Sequence, residues 1–261
     1  MNQEFPEWLK IPAPDEESLR QMQDLIKGMT LHTVCEEALC PNVGECFKSR
    51  TATFLLMGDV CTRNCNFCAV RHGNPLPLDP DEPRHIAEAC KALGLKYVVL
   101  TCVTRDDLAD GGASHMALVV KEVKKLNPGA RVELLTSDLA GNRDALKTLL
   151  EAPLEVLAHN VETVPSLYPA VRPQADYERS LAVIEMAKTI APKVLTKSGI
   201  MVGLGETYEE VIEGPRQVFV GFLGTTPRCI LKGNVCESAK NQTRYDICPL
   251  KKCIKALLFP F

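Results

Sequence analysis

The sequence predicts an α/β protein whose strands share one parallel sheet. Short apolar runs recur at roughly 25- to 35-residue intervals, the spacing of βα units. Segments of helical period stand between them, and Gly, Asn or Pro marks most of the joins. With 261 residues and 46% apolar side chains, the chain has material for a sizeable core.

The elements follow in order. Residues 1–14 contain prolines and read as extended; residues 15–29 read as a short amphipathic helix ending near Gly28. A cysteine-rich loop spans residues 33–50. Residues 51–57, T-A-T-F-L-L-M, read as the first strand, and a second cysteine loop spans 61–68. Pro83–Leu93 reads as a helix with Pro in its first turn and Gly94 just past its end. Residues 96–101 are a buried-type strand, and Ala113–Leu126 a helix stopped by N-P-G. Arg131–Leu135 is a strand, Asn142–Leu150 a helix, Leu154–His159 a strand, and Tyr177–Ile190 a helix ended by A-P. Lys193–Lys197, reaching at most Val202, is the fifth strand, and another helix starts at Thr207. Alternation alone fits a barrel or a doubly wound sheet. Both place their chemistry on loops after the strands' C-terminal ends, where the 61–68 loop falls.

The formal net charge of −3 gives no nucleic-acid footprint. No run of about 18 apolar residues is present, so no membrane span is expected. The first residues show neither a secretory core nor a transit-peptide composition, which points to the cytoplasm. There a reducing environment disfavours disulfides, and twelve cysteines read instead as metal or redox ligands.

The most informative stretch is C-T-R-N-C-N-F-C, residues 61–68. Spacings of three and two put three thiols on one tight loop. An iron–sulfur cube has four irons, and three thiolates leave one iron open to a small molecule. A zinc site or half a ferredoxin-type site is the alternative for such a triplet. Cys61, Cys65 and Cys68, with Phe67 before the last, resemble the radical S-adenosylmethionine signature. A second triplet lies upstream at Cys35, Cys40 and Cys46.

The two triplets in this order resemble the lipoyl synthase family. The similarity continues in T-C-V-T-R-D-D-L (101–108), H-N-V-E-T-V-P (159–165), Y-P-A-V-R-P (168–173) and K-S-G-I-M-V-G-L-G-E-T (197–207), covering about residues 5–216. It implies a partial, six-stranded (β/α) barrel of the radical S-adenosylmethionine type, with the five strands above as its first five. It implies two 4Fe-4S clusters. One binds S-adenosylmethionine, which is cleaved to a 5′-deoxyadenosyl radical; the other, on Cys35, Cys40 and Cys46, donates sulfur. The reaction implied is insertion of two sulfur atoms at C6 and C8 of a protein-bound octanoyl group. The partners implied are an octanoylated lipoyl carrier domain, of the glycine cleavage H protein or dehydrogenase E2 type, and a reductant such as flavodoxin or ferredoxin. By the same resemblance Phe67 packs near the adenine, and Asn160 and Glu162 hydrogen-bond a ribose or other polar groups of the cofactor; Lys197, ending the fifth strand, is read as pairing with a carboxylate and counted with them as cofactor-binding. A radical enzyme of another specificity, or a catalytically impaired iron–sulfur protein, is the alternative.

Three regions are expected: residues 1–50 as an extension with the auxiliary-cluster loop, 51–216 as the partial barrel, and 217–261 as a divergent, poorly ordered tail. The family's auxiliary cluster takes a serine from an R-S-S-Y stretch, and this chain contains none. Its last segment reads as replaced or truncated. The tail cysteines Cys229, Cys236, Cys248 and Cys253 follow no metal-ligand spacing. Cys90 and Cys102 read as core residues. Gly111 and Gly112, ahead of a helix, read either as an anion-binding turn or as a plain turn.

Overall fold

The computed structural model describes residues 51–213 continuously. Ahead of them it describes residues 20, 28, 29 and 31–34, and behind them the backbone of 230, 231, 234 and 235. Apart from residues 20, 28 and 29, the proposed helix at 15–29 lies outside the described residues, as do the upstream cysteine triplet and the rest of the tail.

One six-stranded sheet carries the fold. Its strands are β1 (His32–Thr33), β2 (Thr51–Leu56), β5 (Tyr97–Cys102), β6 (Arg131–Leu135), β7 (Val156–Ala158) and β8 (Leu195–Lys197), side by side in that order. The last five are parallel, whereas β1 pairs antiparallel with β2 through His32–Leu55 and Thr33–Phe54. Between β2 and β5 lie two-residue strands β3 (Val60–Cys61) and β4 (Arg71–His72), which pair parallel with each other and close the cysteine loop. In the tail, β9 (Ile230–Leu231) and β10 (Asn234–Val235) form a separate antiparallel pair.

Sequential strand order decides between the two architectures left open above. When each parallel strand lies beside its predecessor and crossovers share one hand, all helices fall on one face. Burial agrees. Val98, Leu100, Val132, Leu134 and Leu157 point to that face and are at most 2% exposed. Tyr97, Val99, Leu135 and Val156 point the other way and stay half-buried. The sheet is therefore singly wound, a partial barrel.

The helices supply the matching stripe. Helix α1 (Glu82–Ala92) buries Ile86, Ala89 and Cys90. Helix α2 (Ala113–Leu126) buries Met116, Val119, Val120 and Val123, one face at helical period. Helix α3 (Arg143–Leu150) starts at Asn142, whose side-chain oxygen accepts from the Asp144 and Ala145 N–H groups. A short α4 (Tyr168–Val171) precedes α5 (Tyr177–Ile190), which Asp176 caps by accepting from the Arg179 N–H. Each large aliphatic side chain buried between these layers contributes about 1.5–3 kcal/mol. Residues 208–213 start a further helix, as the sequence predicts.

Several ends differ from expectation. β2 stops at Leu56 because Met57 turns into a left-handed backbone (φ 68°) and gives its N–H to the Glu82 carboxylate. β7 starts at Val156 because Leu154 donates back to Ala152 in a turn. The fifth parallel strand starts at Leu195 because Val194 donates to Ala191. β1 was not foreseen; two residues carry no period.

Candidate radical cluster site

The cysteine loop hangs from the C-terminal end of β2. Glu82, at the start of α1, accepts the Met57 N–H through both oxygens at 2.9 and 3.1 Å, and His115 on α2 lies 2.6 Å from the same carboxylate. Gly112 must be glycine here: its φ is +85°, and a Cβ would stand 2.2 Å from the Met57 sulfur. The β3–β4 pairing and the Gly73 N–H to Cys61 carbonyl bond (2.9 Å) close the loop.

Within it, the Cys61 sulfur accepts from the backbone N–H groups of Thr104 (3.2 Å) and Arg63 (3.4 Å). Cys65 is half-buried and Cys68 exposed, with the Cys68 N–H donating to the Cys65 carbonyl. Burial pushes the Cys68 thiol up, and negative charge on Cys65, Cys61 and Glu162 would push it further. Thiols that disfavour one another's ionisation, with one sulfur already accepting an N–H from its own loop and another from the loop after β5, suit a cationic metal cluster. Among the described residues no three His, Cys, Asp or Glu side chains gather tightly enough for a single ion. A four-iron cube differs, since each thiolate binds its own iron. Phe67 sits half-buried between Cys65 and Cys68.

Facing this loop is the turn after β7. Glu162 holds a left-handed φ of 64°, an uncommon conformation for a non-glycine residue. Its backbone is clamped to the end of β8: its N–H donates to the Gly199 carbonyl (3.0 Å), and its carbonyl accepts from Met201 (2.7 Å). Burial raises the Glu162 carboxyl, while the Arg172 charge and the Asn160 amide draw it back. The Asn160 amide lies against Gly199, where a Cβ would stand 3.0 Å from Oδ1. Behind the turn, Arg172 donates to the Asn160 carbonyl (3.2 Å) and the Tyr168 hydroxyl (3.0 Å), with its guanidinium 5.4 Å from the Tyr168 ring centre. Tyr168 in turn meets Tyr177 edge to face at 5.2 Å.

Beside this turn, the Lys197 carbonyl accepts from the His159 N–H at 3.0 Å. The Lys197 ammonium donates to Glu133 at 2.7 Å, on the face of the sheet away from the helices, and Tyr97 donates to the same carboxylate at 2.6 Å. The Gly111–Gly112 turn is occupied by its own chain: Asp110 accepts from Gly112 and Ser114, both at 2.9 Å, where an anion would sit. Glu206 likewise accepts from the Gly203 and Leu204 N–H groups of its own loop. Cys90 and Cys102 lie in or against the core, and burial pushes both thiols up to about 12.

Sequence reasoning missed Arg63, Asp106 and Asp138. Arg63, between Cys61 and Cys65, is 6% exposed and bonded to both aspartates. The signal was a charged residue inside a ligand loop, followed 43 residues later by T-R-D-D. Arg172 and Tyr168 were also missed as supports for the H-N-V-E turn.

The profile of the Radical SAM superfamily matches residues 55–213. The lipoyl synthase of Caldanaerobacter subterraneus subsp. tengcongensis is 59% identical over 208 residues, which is 80% of this chain and 72% of that protein. That of Caldicellulosiruptor saccharolyticus is 54% identical over 82% of this chain and 75% of its own length. Among solved structures, methylornithine synthase superposes with a TM-score of 0.54 at 20% identity, covering 77% of this chain and 61% of its own. The FeFe-hydrogenase maturase of Carboxydothermus hydrogenoformans gives 0.53 at 17% identity, over 78% of this chain and 52% of its own. These two likenesses concern the fold. With the cysteine loop, the singly wound sheet and relatives of this identity together, the chain belongs to the lipoyl synthase family of radical SAM enzymes.

Proposed function

We propose that the chain inserts two sulfur atoms at C6 and C8 of an octanoyl group carried on a lipoyl domain. The observation that carries this reading is the loop of Cys61, Cys65 and Cys68 on the C-terminal end of β2, facing the Asn160–Glu162 turn after β7. Family membership implies a 4Fe-4S cluster, S-adenosylmethionine, a lipoyl-carrier substrate and a reductant. When bound, that cluster and S-adenosylmethionine supply the one-electron chemistry needed to break an unactivated C–H bond.

Cys61, Cys65 and Cys68 hold the cluster in this reading. Glu162 and Asn160 accept and donate hydrogen bonds to polar groups of S-adenosylmethionine, and the strained Glu162 backbone fixes where that carboxylate points. Phe67 offers an apolar surface for the adenine. Lys197 belongs to the same proposal, with its ammonium shared with Glu133. Cys35, Cys40 and Cys46 hold a second 4Fe-4S cluster as sulfur donor. The carrier is of the glycine cleavage H protein or dehydrogenase E2 type, and the reductant is flavodoxin or ferredoxin. Regions 1–50, 51–216 and 217–261 serve as auxiliary-cluster extension, radical barrel and divergent tail. Among the described residues no helix is long and apolar enough to cross a membrane, and we place the reaction in the cytoplasm.

A single-turnover assay tests the whole. The chain is reconstituted anaerobically with iron and sulfide, then given S-adenosylmethionine, dithionite and an octanoyl-lysine peptide. A lipoyl peptide in the mass spectrum is expected. 5′-Deoxyadenosine without sulfur insertion would overturn the sulfur-transfer half and leave the radical half standing. Neither product would overturn both.

A further inference from the structure

The residues between the cysteines are tied to both flanking walls. Thr62 donates to the Thr104 carbonyl at 3.0 Å. Asn64 gives its N–H to the Gln174 side chain at 2.7 Å, and the Asn66 N–H reaches the Val171 carbonyl at 2.9 Å. All three lie on partly or fully exposed ground. Arg63 alone of these residues is buried.

Its guanidinium makes two forks at once. Nε and Nη2 donate to Asp106 at 2.7 and 2.8 Å; Nη1 and Nη2 donate to Asp138 at 3.0 and 2.7 Å. Asp106 lies in the loop after β5, and Asp138 in the loop after β6, with its side chain fully buried. One residue of the cysteine loop thus bolts it to the next two strand ends. A planar group with donors on two edges can do this; an ammonium cannot. Asp138 is held from its other side by the Ala140 N–H (3.1 Å) and Arg179 (3.5 Å), so the anchor is itself rigid.

We infer that Arg63 is a positioning residue for the radical cluster, with the Asp106–Arg63–Asp138 double fork fixing the Cys61–Cys65 span in its ligating shape. The inference rests on the reading of Cys61, Cys65 and Cys68 as cluster ligands. Groups that orient metal ligands from outside the coordination sphere govern how tightly the metal is kept.

The test uses the reconstituted full chain and reads iron loss, not turnover. Parent, Arg63→Lys and Val183→Ala are challenged with a ferrous chelator, and the reduced cluster is recorded by electron paramagnetic resonance. Arg63→Lys keeps the charge and loses both forks. Val183→Ala, at a core position of α5 that is 1% exposed, lowers thermal stability without changing a residue of the loop. Arg63→Lys is expected to release iron about tenfold faster or more, with a broadened spectrum, while Val183→Ala releases it at the parental rate. If Arg63→Lys fails to fold, Asp106→Asn decides; it takes the charge and one of the two acceptors from the fork on the 41%-exposed side only, and a severalfold faster release is expected. Parental release and spectrum in whichever Arg63 or Asp106 variant is read, or equal acceleration by Val183→Ala, overturns the inference. A parent that takes up no cluster overturns the ligand reading and this inference with it.

Discussion

Acidification from pH 7 to pH 5 will cost the folded chain about 2 kcal/mol through His159 alone. His159 is 2% exposed, at the end of β7. Its Nδ1 lies 2.9 Å from the Thr136 carbonyl, which can only accept, so Nδ1 carries the proton. Nε2 is buried without a partner among the described residues. Burial depresses its pKa from 6.5 to about 4; the Thr136 bond opposes, Arg172 adds, Asp138 opposes and Arg63 adds. Because the folded value lies below the unfolded one, the unfolded chain takes the proton first as pH falls. The contribution is complete above about pH 6.5, is lost as pH falls toward about 4, and is flat below. A gap of about 2.5 pH units at about 1.4 kcal/mol each gives roughly 3 kcal/mol in full, of which about 2 falls between pH 7 and 5. The assay is urea unfolding of the metal-free chain under reducing, anaerobic conditions, for parent and His159→Asn. The variant starts lower at pH 7, having lost ring packing, but its stability falls less on acidification, by about 2 kcal/mol. Parallel pH profiles would refute the assignment of a neutral, buried imidazole.

Four further outcomes follow from particular contacts. Gly112→Ala will destabilise the metal-free chain by about 1–3 kcal/mol, and adding Met57→Ala will restore the steric part but not the backbone part, as read by thermal unfolding. Asn142→Ala, which removes the cap of α3, will cost about 1 kcal/mol in the same measurement. In equilibrium dialysis on the reconstituted chain, Glu162→Gln will weaken S-adenosylmethionine binding about tenfold or more. Lys197→Met will do less, since its ammonium is already engaged by Glu133 at 2.7 Å. A larger loss from Lys197→Met would show that the lysine leaves Glu133 when the cofactor binds.

The fold was legible where one local signal sets both ends of an element. Ala113–Leu126, Arg131–Leu135 and Tyr177–Ile190 form as the sequence predicts, because apolar period and terminal residues agree there. β2 lost its last expected residue to a carboxylate 25 positions away, which no local pattern reports. The choice between barrel and doubly wound sheet depended on strand order, which alternation does not contain.

The site divides in the same way. The thiols proposed as ligands crowd into eight residues, so their spacing by itself points to metal chemistry, whereas the groups proposed to aim them carry no such signal. Arg63 stands in plain view between two cysteines, but its partners are 43 and 75 positions on, at the ends of two other strands. Nor is either aspartate conspicuous as a partner: T-R-D-D-L stands out only through the family resemblance, and nothing in T-S-D-L marks Asp138. Burial makes them interdependent. Removing Arg63 would leave a fully buried Asp138 carboxylate with only the Ala140 N–H and Arg179 at 3.5 Å, and removing Asp138 would leave the guanidinium with Asp106 alone, each costing up to about 3 kcal/mol. A pair with that mutual cost is settled only when strand order brings the β2, β5 and β6 loops together. Topology, more than motif, therefore determines which arginine can hold the cysteine loop.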